Sequence, residues 1–238
     1  MLKDLKSSDQ THTKIVIREV LAGVGSLLLF PFGIKGSKKR TARLAEQRSV
    51  VFVHGYIGNR SSFLPLFVYL RLVGVKQILS FNYPPNSGVD EAAMALRDFL
   101  KARVRGGRID LVCHSLGGVI ARVYLQELGG ARRVDRCITL GTPHQGTYNA
   151  YWIPSSVGRD LRPDSTLIER LERSRNKAAK VTFTSIVADS DNIILPRVFA
   201  VNGEDIIHIP NVGHLGMLFS IEVFRAVAER LLSKEIKK

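Results

Sequence analysis

The chain has 238 residues, 45% of them hydrophobic, which is enough for one sizeable domain with its own core. Thirty-five Lys and Arg against 21 Asp and Glu give a formal net charge of +14. That field favours anionic surfaces, but no aromatic–basic array or known binding motif accompanies it, so nucleic acid is not an expected partner. Two cysteines exclude a disulfide-stapled scaffold, and the sequence has no metal-ligand spacing.

Residues 1–48 read as an apolar and basic extension, and 49–238 as the main domain. Val20 to Ile34 is nearly uncharged and is followed by Lys35, Lys38, Lys39, Arg40 and Arg43. This stretch falls short of the ~20 residues that cross a bilayer as a helix. Pro31 weakens its end, Gly23, Gly25 and Gly33 are expected to break up any continuous helix, and no small-x-small cleavage site follows. A helix packed on the main domain is the first expectation and an interfacial membrane anchor the second. The basic cluster beside the apolar segment suits a peripheral contact with anionic lipid.

Apolar runs then alternate with helical segments: Val50-Val53, Gln77-Phe81, Ile109-Val112, Cys137-Leu140, Val181-Val187 and Ile206-Ile209. Near-continuous hydrophobic strands between helices predict an α/β fold, a mostly parallel sheet with helices on both faces. The first run ends in His54-Gly55-Tyr56, which leaves the next backbone N–H free at the sheet's carboxyl edge, where an oxyanion can be held.

The third run leads into Cys113-His114-Ser115-Leu116-Gly117-Gly118 and a helical segment from Val119 to Leu128. A serine at a sharp strand-to-helix turn has its hydroxyl pushed out of the sheet, and small neighbours let helix and strand close up around it. Cys113 stands where the G-x-S-x-G pattern has its first glycine. Both Cys113 and Cys137 fall at strand positions and are expected buried and unbridged.

Tyr148 to Lys180 is longer than a plain connection, with Asp164 or Ser165 placed to cap a helix over Thr166-Arg175. It reads equally as a lid or cap (148–180) and as helices that cover the sheet. Tyr148, Tyr151 and Trp152 suit either a substrate-facing cluster or packing. After the fifth run, Asp189 and Asp191 share one polar loop. His208 lies within the sixth run and reads as structural. His214 lies between Gly213 and Gly216, ahead of an amphipathic helix over Leu218-Leu232. The order serine, acid, histidine is that of one hydrolase architecture and differs from the chymotrypsin and subtilisin orders.

On these segments, together with Thr139-Leu140-Gly141-Thr142-Pro143-His144, the chain resembles the α/β-hydrolase superfamily, and within it the bacterial lipases and esterases. It is similar to the small Bacillus-type lipase from about Val50 to the C-terminal helix. The resemblance implies Ser115 as nucleophile, His214 as general base, Asp191 as the acid with Asp189 as its alternative, and the backbone N–H groups of Tyr56 and Leu116 as oxyanion hole. It places the Leu140–His144 segment along the approach to an acyl pocket. No metal or organic cofactor is expected. The implied function is a serine carboxylic-ester hydrolase, an esterase or triacylglycerol lipase working through an acyl-enzyme. A thioesterase, phospholipase or acyltransferase with the same triad is the alternative, and a non-catalytic lipid-binding protein the reading from outside the enzymes. A cytoplasmic or membrane-associated location fits, with secretion left open.

Overall fold

Six apolar runs become six parallel strands: β1 (Ser49–Val53), β2 (Ile78–Phe81), β3 (Ile109–His114), β4 (Val134–Leu140), β5 (Thr182–Ala188) and β6 (Asp205–Ile209). The computed structural model describes residues 2–34, 48–84, 87–104, 106–195 and 205–233. The basic cluster from Lys35 to Arg43 and the tail from Lys234 to Lys238 lie outside them. The strand order is β2-β1-β3-β4-β5-β6, so the chain starts near one side, crosses back once, and then builds outward. Because every strand points the same way, the loops that follow them gather at one carboxyl edge.

Alternation along the strands divides the core in two. Val51, Val53, Leu111 and Cys113 face α3 (Val89–Arg103) and α4 (Leu116–Glu127). Val50, Phe52, Val112 and Leu140 face α2 (Leu64–Leu72) and α7 (Ile221–Leu232). Cys113 and Cys137 are buried and unbridged.

β4 starts three residues ahead of the predicted apolar run, because polar residues are satisfied at the opposite edge. Arg48 pairs with Asp110 and Asp135 at 2.7 Å each. Arg136 lies 3.4 Å from Asp110 and donates to the carbonyls of Leu231 and Ser233, closing the end of α7.

The 148–180 segment forms α5 (Ser156–Asp160), α6 (Thr166–Arg173) and short 3-10 turns. Ser165 caps α6, its Oγ accepting the Ile168 N–H at 3.2 Å. Val157, Leu161, Leu167 and Leu171 are buried in the α3–α4 core, while Tyr148, Tyr151 and Trp152 stay exposed.

The extension departs from expectation. The glycines do not interrupt it: one helix, α1 (Leu2–Ile34), runs through Gly23, Gly25 and Pro31. A helical glycine costs about 1 kcal/mol relative to alanine but keeps its hydrogen bond. Here tertiary contact offsets that cost, since Gly25 meets the Phe219 ring and Gly33 leaves room for the Asn59 side chain. The apolar portion is longer than the stretch from Val20 to Ile34. Thr13–Ile34 is 22 residues, long and apolar enough to cross a membrane, and within it only Ala22 and Gly33 are buried. Leu21, Leu27, Leu28 and Phe32 are exposed.

Polar contacts fasten α1 to the loops at the sheet's carboxyl edge. Asn59 Nδ2 donates to the Phe30 carbonyl at 2.9 Å and Asn82 Nδ2 to the Gly33 carbonyl at 3.0 Å. Arg18 donates to the Asn211 carbonyl at 3.1 Å.

Candidate active site

Ser115 sits between β3 and α4 with φ +52° and ψ −124°. A non-glycine residue in this conformation is strained, and the surroundings must impose it. Here the Ser115 N–H donates to the Leu140 carbonyl at 2.9 Å. The Ser115 carbonyl accepts the Thr142 hydroxyl and the Gly118 N–H, each at 3.0 Å. Gly117 is required for close approach: a Cβ there would overlap the Val53 carbonyl oxygen and lie 2.7 Å from that of His54.

The Leu140–His144 segment packs against this turn and is buried. Thr142 braces Ser115, and the His144 carbonyl accepts from the buried Arg122 at 2.6 Å.

Asp191 and His214 come together from the loops after β5 and β6. His214 Nδ1 lies 2.7 Å from Asp191 Oδ2, and both residues are buried. A carboxylate only accepts, so Nδ1 carries the hydrogen and the neutral ring keeps its lone pair on Nε2. The other oxygen, Oδ1, accepts the N–H groups of Ile193 at 2.9 Å and Ile194 at 3.0 Å. Burial pushes the Asp191 carboxyl up, but the His214 hydrogen bond and charge, with those two N–H groups, hold it below its ordinary value. Asp189 takes a different partner: it is exposed and bonds His208 Nδ1 at 2.8 Å. His208 is likewise exposed, on the edge strand.

Tyr56 occupies the turn after β1, closed by the Gly58 N–H donating to the Gly55 carbonyl at 3.2 Å. This turn touches the serine, since a Cβ on Gly55 would meet Ser115 Cβ at 3.0 Å. Leu116 is the first residue of α4, where backbone N–H groups have no acceptor within the helix.

Four supporting side chains were not assigned from sequence. His114 donates from Nε2 to the His214 carbonyl at 3.2 Å. Burial, then repulsion from His214, lowers its pKa to about 3, so it stays neutral. His54 stacks on Tyr83 at 4.2 Å between ring centroids, and burial lowers its pKa to about 4. Tyr83 donates its hydroxyl to the Gly55 carbonyl at 2.8 Å, fixing the turn that carries Tyr56. The signal for Tyr83 was its place directly past the carboxyl end of β2. The fourth is Glu19 on α1, whose carboxylate meets the loop after His214. Among the described residues no cluster of His, Cys, Asp and Glu could hold a metal ion.

The family profile described as palmitoyl protein thioesterase matches residues 49–194. Solved structures share the fold at low identity. The mature lipase BlEst2 of Bacillus licheniformis is 16% identical with a TM-score of 0.65, covering 81% of this chain and 96% of its own. Est1E of Butyrivibrio proteoclasticus is 14% identical with a TM-score of 0.58, covering 80% and 89%. The phospholipase PlaB of Legionella pneumophila is 18% identical with a TM-score of 0.52, covering 60% of this chain and 40% of its own.

Proposed function

The chain belongs to the palmitoyl protein thioesterase family, and on that premise we propose that it is a serine hydrolase of long-chain acyl esters, acting at a membrane. It is an α/β-hydrolase, and family and fold together support ester hydrolysis. The observation that carries the reading is the buried Asp191–His214 hydrogen bond, in a fold that also strains Ser115 into a strand-to-helix turn.

In this reading Ser115 Oγ attacks the acyl carbon while His214 Nε2 takes its proton. Asp191 keeps the ring in that tautomer and stabilises the imidazolium. The N–H groups of Tyr56 and Leu116 hold the oxyanion, each worth roughly 2.7–4 kcal/mol in comparable sites. Collapse expels the alcohol or thiol, which takes the proton from His214. Water then attacks the acyl-enzyme with His214 again as base, giving the free acid.

Two observations favour long-chain substrates. Tyr56, Ile57 and Ile193 flank the site residues in sequence and expose apolar surface. α1 presents a 22-residue apolar stretch that suits a bilayer, the compartment in which long acyl chains reside. The description of the matching family favours a thioester over an oxygen ester, which makes thioester hydrolysis the second reading.

The test is hydrolysis of p-nitrophenyl esters and acyl thioesters of graded chain length, with Ser115→Ala as the blank. Loss of all turnover in Ser115→Ala supports the mechanism, and the ratio of thioester to ester turnover decides the leaving group. Turnover that survives Ser115→Ala refutes it. Flotation of the full chain with liposomes tests the membrane assignment.

A further inference from the structure

We infer that Glu19 of α1 is a positioning residue for the general base, so that the apolar helix is part of the catalytic unit; this rests on the reading of His214 given above. Glu19 is the only acid between Thr13 and Ile34. Its carboxylate bridges two consecutive amides just past His214: Oε2 accepts the Leu215 N–H at 2.9 Å and Oε1 the Gly216 N–H at 2.6 Å. Bonds to an ionised acceptor are roughly twice as strong as neutral ones.

The loop is shaped to admit this carboxylate. A Cβ on Gly213 would lie 2.6 Å from Glu19 Cγ, and one on Gly216 would lie 2.7 Å from Oε1. Any side chain at either position would displace it. From the other side His114 holds the His214 carbonyl. The peptide that carries the base is therefore gripped twice, once from beneath Ser115 and once from α1.

The full chain in detergent micelles, hydrolysing p-nitrophenyl butyrate, provides the test, together with the low-field proton resonance of the His214–Asp191 hydrogen bond. Glu19→Ala is expected to lower kcat by about tenfold at unchanged KM, since small misplacements of catalytic groups carry costs of that size or more. Glu19→Gln keeps one acceptor and is expected to lose about threefold. Both are expected to shift the low-field resonance. Asn82→Ala, which removes an α1 contact at the helix's other end, is expected to leave kcat and the resonance unchanged. Wild-type kcat and an unshifted resonance in Glu19→Ala overturn the proposal, as does an equal loss in Asn82→Ala. Should Glu19→Ala fail to fold, the same two readouts in Glu19→Gln decide. Activity that survives Ser115→Ala refutes the mechanism instead, and the resonance still judges Glu19 independently.

Discussion

His114 Nε2 donates to the backbone carbonyl of His214 across 3.2 Å, joining the residue before the proposed nucleophile to the proposed base. The two rings lie 4.9 Å apart between centroids. Losing the donor would leave a buried carbonyl without that bond, at a cost of about 1–3 kcal/mol. His114→Phe, which keeps the ring, is expected to lower kcat about tenfold or more, by the same principle. Steady-state kinetics on a soluble ester check this, and an unchanged kcat would remove His114 from the catalytic arrangement.

The acid assignment makes a sharper contrast. Asp191→Asn replaces a pure acceptor with an amide that can favour the wrong histidine tautomer, and the comparable change in serine proteases lowers kcat about 10⁴-fold. Asp189→Asn alters an exposed pair with His208, which is worth at most about 1 kcal/mol. The first variant is expected to lose nearly all activity and the second to stay within about twofold, as such exposed pairs contribute little. The reverse ordering of kcat would transfer the role of acid to Asp189.

The strands and the Ser115 turn were readable because their signals are local. Doubly covered strands need unbroken apolar runs, and a sharp turn before a helix needs small residues at fixed offsets. Which of Asp189 and Asp191 meets His214 depends instead on how the loop after β5 packs against the loop after β6, a tertiary matter, although the likeness to known lipases favoured Asp191. Glu19, Tyr83 and the role of His114 act through contacts far apart along the chain, such as the 196-residue separation between Glu19 and Leu215. No periodicity carries that information. α1 misled for a related reason: glycines lower helix propensity, and only the packing of Gly25 and Gly33 on the domain compensates.

Stability should fall with acid. His54 and His114 have folded pKa values of about 4 and about 3, below the ordinary 6.5, because burial disfavours the charged ring. The unfolded chain therefore binds more protons than the folded one below 6.5. Stability is complete above that pH and is lost as pH falls toward 4 and then 3. For His54 the loss is on the order of 3 kcal/mol over that window. The lowered Asp191 carboxyl adds loss in the same direction at the acid end. Urea midpoints measured from pH 7.5 to 4 check this, and His54→Gln is expected to flatten the upper part of the curve. A midpoint that does not change over the range would show that His54 is not buried as a neutral ring.

The strand-to-helix turn makes the last prediction. A Cβ on Gly117 would press into the backbone carbonyls of Val53 and His54, neither of which can rotate away. Relief requires α4 to move off β1, and both elements carry proposed oxyanion donors next to them. Gly117→Ala is expected to cost about 3 kcal/mol, the upper end for overpacking. For a domain of this size that lowers Tm by roughly 6–12 °C. Activity should fall with it, because Leu116 and Ser115 move with the helix. Gly88→Ala is the matched control: its Cβ would meet Asp160 Oδ2 at 3.6 Å and Ser156 Oγ at 3.9 Å, both ordinary contacts. That variant is expected to lower Tm by only about 2–4 °C, since Gly88 is the N-cap of α3 and alanine is the poorer cap by about 1 kcal/mol. Equal melting of the two variants would mean that α4 and β1 can separate freely, and the strain at Ser115 would then not be imposed by their packing.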